Sequence, residues 1–136
     1  MYHKVTKVRY KLLRHWLAGP FILAMVFPVA FMDLCLEIYQ HITFPLYGIP
    51  IVNRGSYIKL NRIKLSYLNT LDKMWCSYCQ YSNGLMAYGV RIAGDTEKYW
   101  CAIKNKDEDG YMPQEHQQDF LDYDDQEAYD NFVNQK

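Results

Sequence analysis

Hydrophobic and polar positions divide the chain into four stretches of different periodicity. In residues 1–15, Val5, Val8, Leu12 and Leu13 are interleaved with Lys4, Lys7, Arg9, Lys11 and Arg14. These spacings put the apolar side chains roughly on one helical face and predict a basic amphipathic juxtamembrane arm, its lysines lying along headgroups. A signal peptide is the alternative for a basic start before an apolar run. The charged section is long for one, and no small-x-small cleavage site follows the run. Residues 16–41 predict a membrane helix. Trp16 to Met32 contains no charged residue, and Leu34, Cys35 and Leu36 extend the run to about the twenty residues that cross a bilayer. Trp16 is placed as an interfacial anchor. Pro20 and Pro28 interrupt the run, and Pro28, in its middle, removes a backbone donor and predicts a bend. Asp33, Glu37 and His41 then follow four residues apart on one helical face.

Two topologies fit this helix. It spans, leaving the cysteines outside, or it bends at Pro28 and returns, keeping both ends on the cytoplasmic face. Arg54, Lys59, Arg62 and Lys64 after the run, with the basic arm before it, favour the return by the positive-inside rule.

Residues 42–106 predict a small helical domain. The segment Phe44-Pro45-Leu46-Tyr47-Gly48-Ile49-Pro50-Ile51-Val52 reads as an apolar loop, because prolines at this spacing exclude a regular interior. A turn is expected over Asn53 to Ser56, and a short strand or helix start over Tyr57 to Leu60. Leu60, Ile63, Tyr67, Leu71 and Met74 recur every three or four residues, an amphipathic helical pattern that Asn69 or Thr70 could cap afresh. Tyr78, Tyr81, Leu85, Tyr88 and Ile92 continue the stripe and predict core. Gly84, Gly89 and Gly94 allow another backbone to approach, and Gly94-Asp95 reads as a stop and a new N-cap. Residues 107–136 are acidic and glutamine-rich, a loosely ordered tail on which Phe120, Leu121, Tyr123, Tyr129 and Phe132 are scattered.

Charge sharpens this division. The formal net charge of the 136 residues is zero, yet ten Lys/Arg precede residue 74 against Asp33, Glu37 and Asp72. From residue 107 onward ten Asp/Glu face Lys136 alone. A basic half around an apolar run fits an anionic lipid surface. Nucleic acid, the competing partner of a basic arm, leaves the apolar run unexplained. With half the residues apolar and 16% aromatic, the composition excludes a disordered chain.

Three of the four cysteines lie between Trp75 and Cys101. Cys76 and Cys79 form C-x-x-C, which either grips a metal or does redox chemistry. Tetrahedral zinc needs four ligands, and Cys101 and His116 complete the set, with Asp95, Glu97 or water as substitutes for His116. The redox reading makes Cys76 and Cys79 a cycling dithiol, which needs a stabilised thiolate. In an extracytoplasmic domain the same pair is a plain disulfide. Cys35, in the apolar run, reads as a small buried hydrophobe. Asp33, Glu37 and His41 could bind a cation or act as acid and base on a lipid headgroup. The simpler account turns this face to water or to Arg54 and Lys59 as the helix leaves the bilayer. No phosphate loop and no G-x-S-x-G elbow occurs.

Taken together, Lys64 to Leu68, Cys76-Ser77-Tyr78-Cys79-Gln80-Tyr81-Ser82-Asn83-Gly84-Leu85, Thr96-Glu97-Lys98-Tyr99-Trp100-Cys101-Ala102-Ile103-Lys104 and the Phe44 to Pro50 loop carry a resemblance. The chain resembles a family of small bacterial membrane-associated proteins of unassigned function, over roughly residues 30–104 and the segment around 116–124. Similar proteins carry His after the Ile-Lys pair, where this chain has Asn105, and that departure moves the fourth-ligand role to His116. The resemblance implies a bacterial protein, and with the basic flanks the expected location is the inner membrane with the soluble part on the cytoplasmic face; the single-pass alternative places that part outside. It implies no activity. The fold expected is mainly α, one Pro-kinked membrane helix, spanning or re-entrant, plus a small helical cysteine-containing domain. The function expected is that of a non-enzymatic membrane adaptor, assembly factor or complex subunit holding structural zinc. An enzyme working through the Cys76/Cys79 dithiol or the Asp33/Glu37/His41 face is the alternative.

Overall fold

A computed structural model describes residues 11–134, so most of the expected basic arm, residues 1–10, lies outside the described residues. The fold is mainly α. Helix α1 (Lys11–Ala24) passes into α2 (Val26–Tyr47) with only Met25 between them. A short α3 (Arg54–Tyr57), a 3-10 turn (Asn61–Lys64), the long α4 (Thr70–Trp100), a second 3-10 turn (Glu115–Gln117) and α5 (Gln126–Asn134) follow. Among the described residues there is no strand, only an isolated bridge between Ile103 and Leu121.

Trp16 to Tyr47 forms one helical rod of 32 residues, long and apolar enough to cross a membrane by length and composition. The rod is bent by 21°. The cause is the proline singled out in the sequence. Pro28 has no N–H for the Ala24 carbonyl, and its ring crowds that carbonyl. The chain therefore breaks register at Met25, whose N–H is shared between the carbonyls of Phe21 (3.3 Å) and Ile22 (3.2 Å). A bend of this size does not turn the helix back on itself.

Helix α2 continues through Tyr47, so Phe44 to Tyr47 is its last turn rather than loop. Burying the Phe44 ring, which is 1% exposed, outweighs the preference of Pro45 for an extended predecessor. Gly48, at φ 68°, ends the helix, with the Ile49 N–H donating to the Phe44 carbonyl at 2.8 Å. The turn expected at Asn53 is the cap of α3, its Oδ1 accepting from the Gly55 N–H at 2.9 Å.

Helix α4 begins at the expected cap: Asn69 Oδ1 accepts from the Asp72 N–H at 2.7 Å. It runs unbroken to Trp100, past the stop expected at Gly94. The glycines serve packing instead. A Cβ on Gly84 would lie 2.6 Å from the Tyr57 carbonyl oxygen, and one on Gly94 would lie 2.9 Å from the His116 ring. The core joins Val29 and Phe44 of α2 to Leu85, Tyr88 and Ile92 of α4, with Met32, Leu36, Ile49, Val52, Tyr57, Ile58 and Tyr81 around them. The upstream part of the expected stripe is not core. Leu60, Ile63, Tyr67, Leu71 and Met74 are exposed, and residues 60–69 form a 3-10 turn and bends rather than α-helix. The acidic segment is packed in part, since Gln117 and Phe120 are buried near the end of α4.

Candidate functional site

Asp33, Glu37 and Gln40 project from one face of α2, as i, i+4 and i+7 positions must, and that face meets α4. Arg54, at the start of α3, reaches Asp33 with two parallel bonds, Nε to Oδ1 at 2.9 Å and Nη2 to Oδ2 at 2.5 Å. Such bidentate charge-assisted pairs are among the stronger polar contacts. The Tyr81 hydroxyl donates to Asp33 Oδ2 at 2.8 Å. One turn further, the Tyr88 hydroxyl donates to Glu37 Oε1 at 2.5 Å and accepts from the Gln40 side-chain amide. Gln40 also brackets Val52, accepting from its N–H at 3.2 Å and donating to its carbonyl at 3.5 Å. The cluster thus binds α2, α3, α4 and the Val52 loop together.

Its electrostatics follow from these partners. Hydrogen bonding to Asp33 raises Arg54 above the usual guanidinium range, fixing its charge. Burial, reinforced by bonds to Asp33 and Glu37, pushes both Tyr81 and Tyr88 above the ordinary tyrosine value of 10.0. Both phenols therefore remain protonated donors. Their raised values favour the folded state fully below pH 10, where the unfolded tyrosines are also protonated, and this contribution is lost as pH climbs through the folded values. Thermal unfolding followed against pH is expected to show stability falling from about pH 10 upward. Tyr88→Phe should flatten that fall.

The Asp33/Glu37/His41 face expected from the sequence is thus split. Asp33 and Glu37 are turned to protein, Arg54 being the partner that the simpler account named. His41 is exposed, its Nδ1 2.8 Å from the Glu37 carbonyl oxygen. With both oxygens of Asp33 engaged in three bonds, Asp33 is closed off in this clamp, while Glu37 uses Oε1 for Tyr88 and turns Oε2 toward His41 at 3.6 Å. Trp16 and Pro28 stand exposed on the rod. Cys35, expected to be buried, is exposed.

The four-ligand set does not converge. Cys76, Cys79 and Cys101 belong to one continuous helix and its C-cap. The 22 residues from Cys79 to Cys101 correspond to roughly 33 Å along the axis. His116 sits at the Cys101 end, its ring over Gly94 and its Nε2 2.8 Å from Glu97 Oε2. The proposed substitutes are engaged as well, Asp95 with Arg91 at 2.8 Å and Glu97 with Gln117 at 2.8 Å. Among the described residues no group of three or more His, Cys, Asp or Glu is arranged to hold a metal. The residues do not fit one tetrahedral zinc within a single chain. Metal analysis of protein extracted in mild detergent is expected to show no change on Cys101→Ser or His116→Ala. One equivalent of zinc lost with either substitution would contradict this geometry.

Sequence reasoning missed Gln40, Tyr81 and Tyr88 as members of the cluster. Tyr81 and Tyr88 did lie on the recognised stripe, and their spacing on a core face beside two carboxylates was the available signal. No protein-family model, curated protein or solved structure gives a significant match to the chain.

Proposed function

We propose that the protein is a membrane-anchored, non-enzymatic adaptor, assembly factor or small subunit of a larger complex. One observation carries this reading. While Asp33 and Arg54 pair in the clamp, Phe27, Phe31, Leu34, Ile38, Ile42 and Leu46 form a bare apolar stripe along α2. Their steps of three or four residues keep them on the face opposite Val29, Asp33, Gln40 and Phe44. A stripe of this length is normal against lipid or against another apolar helix, and costly in water. The rod supplies about 48 Å of helix against about 30 Å of hydrocarbon, so on this reading its first two-thirds cross and the clamp lies at the boundary. The shallow bend favours the spanning over the returning arrangement. A spanning helix places residues 1–15 and the basic segment 54–73 on opposite sides of the membrane.

The test is the size of the particle released from native membranes in mild detergent. The expected result is a complex larger than the single chain, dissociated by Ile38→Asp with Ile42→Asp and unaffected by Cys76→Ser with Cys79→Ser. A particle the size of one chain, with function lost in the double cysteine variant, would overturn the reading in favour of thiol chemistry.

A further inference from the structure

The five apolar residues that the sequence pattern placed on an amphipathic helix, and that the structure leaves outside the core, share one end of the domain. Their position follows from the direction of α4. Asp33 meets Tyr81, Glu37 meets Tyr88, Tyr39 meets Thr96, and Tyr47 stacks on Tyr99 and Trp100. Contacts that advance together mean parallel helices. The start of α4 therefore projects past Asp33 in the direction of Trp16. From Tyr81 back to Leu71 is ten residues, roughly 15 Å of helix, and the crossing of the two axes shortens this only in part.

The strap leading into α4 runs back along it to the same end. The Tyr57 carbonyl lies against Gly84, and the Gln80 side chain holds the Lys59 carbonyl at 2.8 Å and the Arg62 N–H at 3.2 Å. Leu60, Ile63, Tyr67, Leu71 and Met74, between 42% and 69% exposed, thus gather around this elbow. Lys59, Arg62, Lys64 and Lys73 surround them, with Asp72 the one acid. Among the described residues none of these four bases forms an ion pair. The segment from His116 to Leu121 belongs to the other end, where His116 packs on Gly94 and Leu121 pairs with Ile103.

We propose that the elbow of residues 59–74 is a second membrane contact, a docking surface for the anionic headgroups of the leaflet through which the rod enters. Exposed apolar side chains ringed by unpaired bases suit the headgroup boundary, where the first are buried and the second meet phosphate. Continuity with the rod supplies the occupant: a bilayer crossed by residues 16–35 has its surface at the level of Asp33. There Gln80, next to Tyr81, holds the Lys59 and Arg62 backbone, while Leu71 reaches past that level toward the hydrocarbon. The proposal rests on the membrane-anchored reading.

The test places p-benzoylphenylalanine singly at Phe27, Tyr67, Leu71 and Tyr129 of the full chain, reconstituted in vesicles of neutral phosphatidylcholine or of phosphatidylcholine with phosphatidylglycerol. Lipid adducts are read by mass spectrometry after irradiation. Adducts are expected at Phe27 in both vesicles and at Tyr67 and Leu71 preferentially in the anionic ones, with little at Tyr129. Arg62→Glu with Lys64→Glu should lower the Tyr67 and Leu71 yields by fivefold or more, since each base near an anionic surface is worth about a fivefold change in partition. The Phe27 yield should not move. Lipid adducts at Phe27 but none at Tyr67 and Leu71 would overturn the elbow while leaving the anchor intact. Equal yields in neutral and anionic vesicles would overturn its headgroup selectivity. Adducts to a second copy of the chain at Tyr67 or Leu71 would make the elbow a dimer surface instead. No lipid adduct even at Phe27 would remove the membrane reading and the proposal together.

Discussion

Replacing Tyr88 by alanine is expected to destabilise the domain by about 3–5 kcal/mol, the usual cost of emptying a large aromatic site. Tyr88 is fully buried and stands at the centre of the core, against Tyr57 at a ring separation of 5.9 Å. Its loss also strands two polar groups. The Gln40 amide keeps only its long bond to the Val52 carbonyl and Glu37 loses its donor, so the cavity and the broken bonds act in the same direction. Tyr88→Phe separates the two effects: it keeps the ring and removes only the hydroxyl, for an expected cost of about 1–3 kcal/mol. Thermal unfolding in detergent, read by circular dichroism, measures both. A Tyr88→Ala protein as stable as the parent would mean that α2 and α4 are not packed as described.

Asp33→Ala should be the next largest single change, at roughly 2–3 kcal/mol. Breaking a fully buried ion pair costs about 3–5 kcal/mol because the partner is left charged and unpaired. The Arg54 side chain is 41% exposed and Asp33 13%, so solvent recovers part of that loss. Tyr81 loses its acceptor at the same time. The double variant Asp33→Ala with Arg54→Met is expected to recover part of the stability, since it removes the stranded charge. A double variant worse than the sum of the singles would contradict a structural role for the pair.

What the sequence made legible was local. The rod, its bend at Pro28, the Asn69 cap and the Tyr81–Leu85–Tyr88–Ile92 stripe all follow from spacing within a few residues. Partners distant along the chain were not readable: Asp33 and Tyr81, or Gln40 and Tyr88, are 48 residues apart. The two larger departures have physical reasons. Gly94 was read as a helix stop by the ordinary rule for glycine, but the His116 ring needs the space that a Cβ would fill. Cys76, Cys79 and Cys101 looked like one site because they are close in sequence. An uninterrupted helix turns that closeness into distance. Conversely, Leu60 to Met74 were correctly seen as apolar and periodic, while the amphipathic helix expected over them begins only at Thr70.

The reading stands or falls on whether residues 16–47 hold the protein in a bilayer. The direct measurement is fractionation of cells expressing the full chain, with membranes washed in alkaline carbonate and assayed by immunoblot. The account predicts that the protein stays in the membrane pellet and is released to the supernatant when Phe21, Leu23 and Phe27 are all replaced by aspartate. Recovery of the parent protein in the carbonate supernatant would contradict it.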